Sequence, residues 1–245
     1  MTSSRESFFA GLRSALVSGA EAGEAPRPDP FPTDDEVLAR VTAIQKLIAE
    51  QAAELMDELA ASAKAGGWVV HRAANIEEAL GQVVDIARGL AVTSLVRSDH
   101  DVLSRLGVDG PLAADGIDVT KMAREDSEDP SSHRQAAIDA GLGLTGADYA
   151  IAETGSAVLA AGQGVSRIVS LVPPVHVAVV ERGSVVPSLD ELFTLLRQDY
   201  GEQDWASYVN IISGPSRSAD IEYTLVTGVH GPGEVHLVLL DEGSA

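Results

Sequence analysis

Three stretches of this chain carry residues whose types and spacing suit chemistry. The first is Gly146-Ala-Asp-Tyr-Ala-Ile-Ala-Glu-Thr-Gly-Ser156. An apolar run ends there in a turn presenting Glu153, Thr154, Gly155 and Ser156, and α/β folds place ligands at the ends of buried strands. A hairpin turn in which Thr154 and Ser156 only satisfy backbone groups accounts for the same residues equally well. The second stretch is Ile211-Ile-Ser-Gly-Pro-Ser-Arg-Ser-Ala-Asp-Ile-Glu222. A β-run gives way to Ser213-Gly214-Pro215-Ser216, and a helix is expected to start near Ser218 or Ala219. Strand, small-residue loop and helix N-terminus together make an anion-binding arrangement, because free amides and the helix dipole point at one spot. Ser213, Ser216 and Ser218 add donors, and Arg217 adds charge. Asp220 falls in the first turn, where an acid also suits the dipole with no ligand present.

The third stretch is Gly228-Val-His-Gly-Pro-Gly233. Glycines and a proline fix a tight turn around His230, a plausible acid, base or oxyanion donor. A lone histidine is more often structural, and His176, after Pro173-Pro174, carries the same two readings. Arg167 is one of few cations in the second half of the chain. It suits a ligand carboxylate or an ordinary surface ion pair.

Composition removes several function classes. The chain has 245 residues, 17 Lys+Arg against 37 Asp+Glu, and a formal charge of -20. Such a field repels phosphate backbones and anionic membrane surfaces, so neither nucleic-acid binding nor membrane insertion is expected. With no cysteine, the chain has no disulfide, thiolate nucleophile or cysteine-held iron–sulfur cluster. The histidines are scattered singly, so no metal site is expected. Phosphate-binding P-loop, G-x-S-x-G elbow and H-E-x-x-H signatures are absent. No signal peptide or apolar span is legible, which makes the cytoplasm the expected location.

The elements that must position these residues follow from periodicity. Residues 1–18 hold a short amphipathic segment with Phe8, Phe9, Leu12, Leu16 and Val17 at helical spacing, suited to docking on its own domain, a partner or a second protomer. Residues 19–33 have linker composition, rich in Pro and Gly. The main α/β domain is expected over 34–245. Thr33-Asp-Asp-Glu36 reads as a capping box for a long helix through Val37, Val41, Ile44, Ile48, Ala52, Leu55 and Leu59, ending at Gly66-Gly67. Strands are expected at 68–72, 93–97 and 116–119, alternating with helices, one of which is capped at Asn75. That alternation predicts parallel βαβ units. Further strands are expected at 149–153, 157–161, 168–172, 175–180, 208–212 and 235–240. A helix capped by Ser188-Leu-Asp-Glu191 is expected to reach Tyr200, and the second half reads as partly antiparallel.

Four segments in order, "GLTGADYAIAETGSAVL", "RIVSLVPPVHVAVVERGSVV", "ISGPSRSADIE" and "GVHGP", resemble the LUD domain, specifically its lactate utilization protein C (YkgG-like) branch. The resemblance implies a Rossmann-like mixed sheet of the sugar-phosphate isomerase and CoA-transferase kind (NagB/RpiA/CoA-transferase-like), with an antiparallel part and an N-terminal helical extension. It also implies a role in oxidising L-lactate to pyruvate in the cytoplasm, beside cluster-bearing and cysteine-rich lactate utilization proteins. No cofactor is then expected in this chain, and the iron–sulfur clusters sit on partners. The implied ligand is a small carboxylate or a phosphorylated molecule, held by Glu153, Thr154, Gly155, Ser156, Arg167, His176, Ser213 to Ser218, Asp220 and His230. Some superfamily relatives use a glutamate as nucleophile or base, which the resemblance carries to Glu153, with His230 as its partner. An isomerase-like or acyl-transfer enzyme and a non-catalytic assembly subunit are the rival readings. A homo-oligomer is compatible with all three.

Overall fold

A computed structural model describes residues 34–122, 130–160, 167–202, 208–219 and 225–242. The amphipathic segment 1–18, the linker 19–33 with Thr33, most of the acidic stretch 125–132, and Asp220 lie outside them. The chain divides into two units, Met1–Val37 and Leu38–Ala245. Every described strand belongs to the second.

Helix α1 (Asp34–Gly66) begins with Asp34, Asp35 and Glu36 and carries Lys64 in its last turn, both favourable to the helix dipole. It bends at Gln51, whose backbone leaves the helical region. Its stripe of Val41, Ile44, Ile48, Ala52, Leu55 and Leu59 is buried, as the spacing of three and four requires. Next come β1 (Val69–Ala73), α2 (Ile76–Gly89), β2 (Ser94–Arg97), α3 (Asp101–Leu106), α4 (Asp109–Ala114) and β3 (Asp118–Lys121). Asn75 caps α2 by accepting from the Glu78 amide at 2.9 Å, while the Glu78 carboxylate accepts from the Ala74 amide.

The second half contains α5 (Pro130–Asp139), β4 (Leu142–Gly146), β5 (Tyr149–Ile151), β6 (Ser156–Ala160), α6 (Ile168–Leu171) and β7 (Val175–Glu181). After these come β8 (Val185–Val186), α7 (Leu189–Glu202), β9 (Val209–Ile212), β10 (Arg217–Ala219), β11 (Leu225–Thr227) and β12 (Glu234–Leu240).

Six strands form one sheet in the order β1-β12-β7-β4-β2-β3, and every pairing in it is parallel. Both faces are covered, so β7 and β12 read as continuous apolar runs. One face packs Leu95, Leu142, Leu144, Val177, Val179 and Val238 against α2, α3 and α4. The other meets α5 and α6 through Val96, Met122, Ala137, Ala140 and Val169. The mixed pairing sits in a separate four-stranded sheet, β8-β5-β6-β9, where β5–β6 and β6–β9 are antiparallel and β5–β8 is parallel.

Two expectations change, and one strand is new. Residues 168–172 are not a strand: α6 occupies Ile168–Leu171, because Pro173-Pro174 close the segment before it can join a ladder. No helix begins at Ser218 or Ala219. Arg217–Ala219 is β10, paired antiparallel with β11, so the dipole invoked there for an anion does not exist. β4, a central strand of the parallel sheet, carries no clear mark in the sequence because two of its five residues are glycine, which weakens any strand signal.

Candidate functional site at the sheet crossover

From β2 the chain passes outward to β3, then returns to the opposite side of β2 to lay down β4. Open parallel sheets bind ligands in the crevice that such a reversal leaves at the carboxyl ends of the strands. Here the crevice is a cleft of about 460 Å³ lined by His100, Asp148, Tyr149, Glu181, Ser184 and Asp199, with Ala147 and Gly183. Three of these residues stand at a strand end or just after it. His100 follows β2, Asp148 follows β4, and Glu181 closes β7.

His100 is oriented by its own helix. Its Nδ1 accepts from the Val102 amide at 3.3 Å, capping α3. An accepting Nδ1 fixes the neutral ring's proton on Nε2. That nitrogen lies 3.8 Å from Asp148 Oδ1. The imidazole can sit there because residue 146 is glycine: a Cβ on Gly146 would run into the His100 ring. The other oxygen of Asp148 accepts from the Ala160 amide at 2.7 Å, which fixes the carboxyl in turn. Burial pushes the Asp148 carboxyl above the usual carboxylate range, and nearby Asp199 pushes the same way. The Ala160 amide and His100 partly oppose the shift.

Tyr149 donates its hydroxyl to Asp199 Oδ2 at 2.9 Å. Burial, and then the Asp199 charge, raise the phenol so far that it stays protonated. Glu181 is held by Arg105 through Oε2 at 2.5 Å, while its Oε1 is buried without a hydrogen-bond partner. The cleft thus presents a fixed N–H donor beside a carboxyl of raised pKa. A ligand oxygen in reach of both could accept a hydrogen bond from His100 and exchange a proton with Asp148.

The residues singled out in the sequence lie elsewhere. Thr154, Ser156 and Ser213 form a hydroxyl chain, with Thr154 Oγ1 to Ser156 Oγ at 2.8 Å and Ser156 Oγ to Ser213 Oγ at 2.7 Å. Gly155, at φ +65°, carries the β5–β6 turn against the backbone of Ser62 and Ala63 in α1. Gly214 and Pro215 complete the loop to Arg217, whose guanidinium donates to the Gly66 carbonyl at 3.1 Å. Ser216 accepts through Oγ from the His230 amide at 3.4 Å and donates its own amide to the Pro232 carbonyl. Ser218 pairs with Val226.

Two joins therefore link the three motifs: the first meets the second at Ser156–Ser213, and the second meets the third at Ser216–His230. They gather beside the ends of segments leading into β1, β7 and β12, at the amino edge of the parallel sheet. Glu153 accepts instead from the Leu189 amide at the start of α7. His176 is wholly buried with Nε2 on Thr145 Oγ1 at 2.9 Å, and burial pushes its pKa down to about 3. The Arg167 guanidinium stacks over the Tyr208 ring at 5.4 Å.

Sequence reasoning misses the cleft residues, although Asp148 and Tyr149 sit inside the first motif. The available signal is a polar residue placed directly after an apolar strand. Among the described residues no group of three or more His, Cys, Asp or Glu is arranged to hold a metal ion, and no helix is long and apolar enough to cross a membrane.

A parallel sheet with a crossover cleft and a separate mixed sheet places this chain in the fold of a DUF162 family protein from Deinococcus radiodurans. That crystal structure superposes with a TM-score of 0.51 at 20% identity, over 78% of this chain and 98% of the other. The LUD domain model matches residues 56–240, a range that includes every residue of the cleft, and the chain belongs to the LUD domain family. Its relatives there are lactate utilization protein C sequences. The one from Exiguobacterium sp. is 42% identical over 121 residues, 48% of this chain and 51% of that protein. The Shouchella clausii protein is 30% identical over 167 residues, 68% and 69% of the two. The Bacillus subtilis protein is 35% identical over 118 residues, 48% and 49%. The chain spans about half the length of most of these curated relatives.

Proposed function

We propose that the chain is the cluster-free component of a cytoplasmic system that converts L-lactate to pyruvate, and that it binds its small ligand in the crossover cleft. One observation carries the placement: His100 Nε2 and Asp148 Oδ1 face each other across 3.8 Å at the point where the strand order reverses. The family supports the pathway. The lack of cysteine supports electron transfer through clusters on partner chains. In this reading Thr154, Ser156, Ser213, Ser216 and His230 lock the turns against α1, and Glu153 caps α7. Kinship with the sugar-phosphate isomerase and CoA-transferase superfamily belongs to the same reading.

The test is growth on L-lactate of a host that lacks its own lactate utilization protein C. The wild-type gene restores growth. His100→Asn, which keeps an acceptor for the Val102 amide but removes the Nε2 donor, does not. Failure of a well-folded wild-type chain to restore growth overturns the pathway assignment. Full growth with His100→Asn overturns the cleft assignment.

A further inference from the structure

The polar cleft adjoins a second cavity. Gly183 lines both, and a side chain at that position would meet nothing within 4 Å. The second cavity, of about 350 Å³, is walled by Gln45, Ile48, Ala49 and Ala52 of α1, with Arg182 at the side. Its chemistry is that of an apolar groove.

The first cavity is rich in acceptors. The Tyr149 hydroxyl is already given to Asp199 and that of Ser184 to the Glu181 carbonyl. Carboxylate oxygens of Asp148, Asp199 and Glu181 therefore dominate the lining, with His100 Nε2 as the donor facing them. Of these, Glu181 Oε1 is buried and unpartnered. Buried polar atoms in native proteins are nearly always paired, so this orphan oxygen in the cleft lining marks a place where another molecule supplies the partner.

The geometry points to a single ligand laid across both cavities, with an ammonium-bearing head among the carboxylates and an apolar tail along α1 past Gly183. The inference rests on the cleft being the ligand site. It goes further by naming the group bound there, which is a hydrogen-bond donor and not a free carboxylate or phosphate. An anion in the cleft would face Asp148, Glu181 and Asp199 together.

Titration of the full chain with 1-hexylamine, ethylamine and hexanoate at neutral pH tests this, read by calorimetry and by the His100 ring resonances. Hexylamine binds and shifts those resonances. Ethylamine binds at least roughly tenfold more weakly, since each buried methylene is worth roughly fourfold in affinity. Hexanoate does not bind. Ala49→Trp, at an exposed position on α1, fills the groove and reduces hexylamine to the level of ethylamine. Binding of hexanoate as tight as that of hexylamine, equal affinity for the two amines, or silence from hexylamine overturns the ligand class. If hexylamine is silent while His100→Asn still abolishes growth on lactate, the class is wrong and the cleft stands. If His100→Asn is also without effect, the cleft assignment fails with it.

Discussion

Asp148 is held from two sides: the Ala160 amide fixes one carboxyl oxygen at 2.7 Å, and His100 Nε2 stands 3.8 Å from the other. The carboxyl is better solvated in the unfolded chain than in this cleft. Its folded pKa is therefore raised, chiefly by burial. The native state binds the proton more tightly, so stability falls as pH rises from the unfolded pKa through the folded one, then levels off.

Asp148→Asn removes the buried charge and keeps an acceptor for Ala160. The variant is expected to melt higher than wild type at slightly alkaline pH, with the difference vanishing in acid. Thermal melts across that range check this. A variant less stable than wild type at alkaline pH would show that the His100 and Ala160 contacts outweigh desolvation.

His176 titrates in the opposite sense. Burial holds it neutral down to about pH 3, against an ordinary 6.5. The unfolded chain takes up a proton first, so stability is lost as pH falls from about 6.5 toward 3, at up to about 1.4 kcal/mol per pH unit from this group alone. Urea denaturation between neutral and mildly acid pH reads the slope. His176→Gln is expected to be less stable at neutral pH because it disturbs a packed site, but to show a shallower acid loss.

Gly155→Ala tests the contact between the β5–β6 turn and α1. The position has φ +65°, and a Cβ there would strike the backbone of Ala63 and Ser62. Backbone strain and overpacking combine, and a loss of about 2 kcal/mol or more is expected. A melting temperature unchanged from wild type would contradict the close approach.

Arg217→Ala separates helix capping from ligand binding. The guanidinium binds the Gly66 carbonyl at the end of α1, where the helix dipole is negative. The expected cost is about 0.5–1 kcal/mol, screened by salt. Amine binding in the crossover cleft is expected to be unchanged.

Sequence periodicity reveals most of the scaffold. The α1 stripe, the Asn75 and Ser188 caps and the apolar runs of β7 and β12 all lie where spacing and capping chemistry put them. Ser188 indeed accepts from the Asp190 amide. The errors fall where local signals are weak or shared. "LGLTG" lacks the β-branched density of a strand. "RIVSL" has it and is helical, because a proline pair follows. "SRSAD" resembles a helix cap, yet its first three residues to be paired, Arg217 to Ala219, are a strand.

The site is harder to read, for a different reason. Glu153, Ser156, Ser213 and His230 lie in turns, which concentrate Gly, Ser and acids; Ser156 bonds Ser213, and Ser216 bonds the His230 amide. His100, Asp148 and Glu181 span 81 positions along the chain. Only the crossover of the parallel sheet brings them together, and crossover order is not written in any one segment.

Strand β1 pairs with β12 along its whole length, from Val69 opposite His236 to Ala73 opposite Leu240, and among the described residues β12 is its one neighbour in the sheet. During synthesis, the earliest strand of the sheet must wait for the last one to leave the ribosome. Contacts of such long sequence separation slow folding, and β1 stays without its sheet neighbour until β12 has been made. A stop codon before Glu234 would strand β1 as well as delete β12. Truncation at the far end of the chain is thus expected to expose the segment around Trp68 to limited proteolysis.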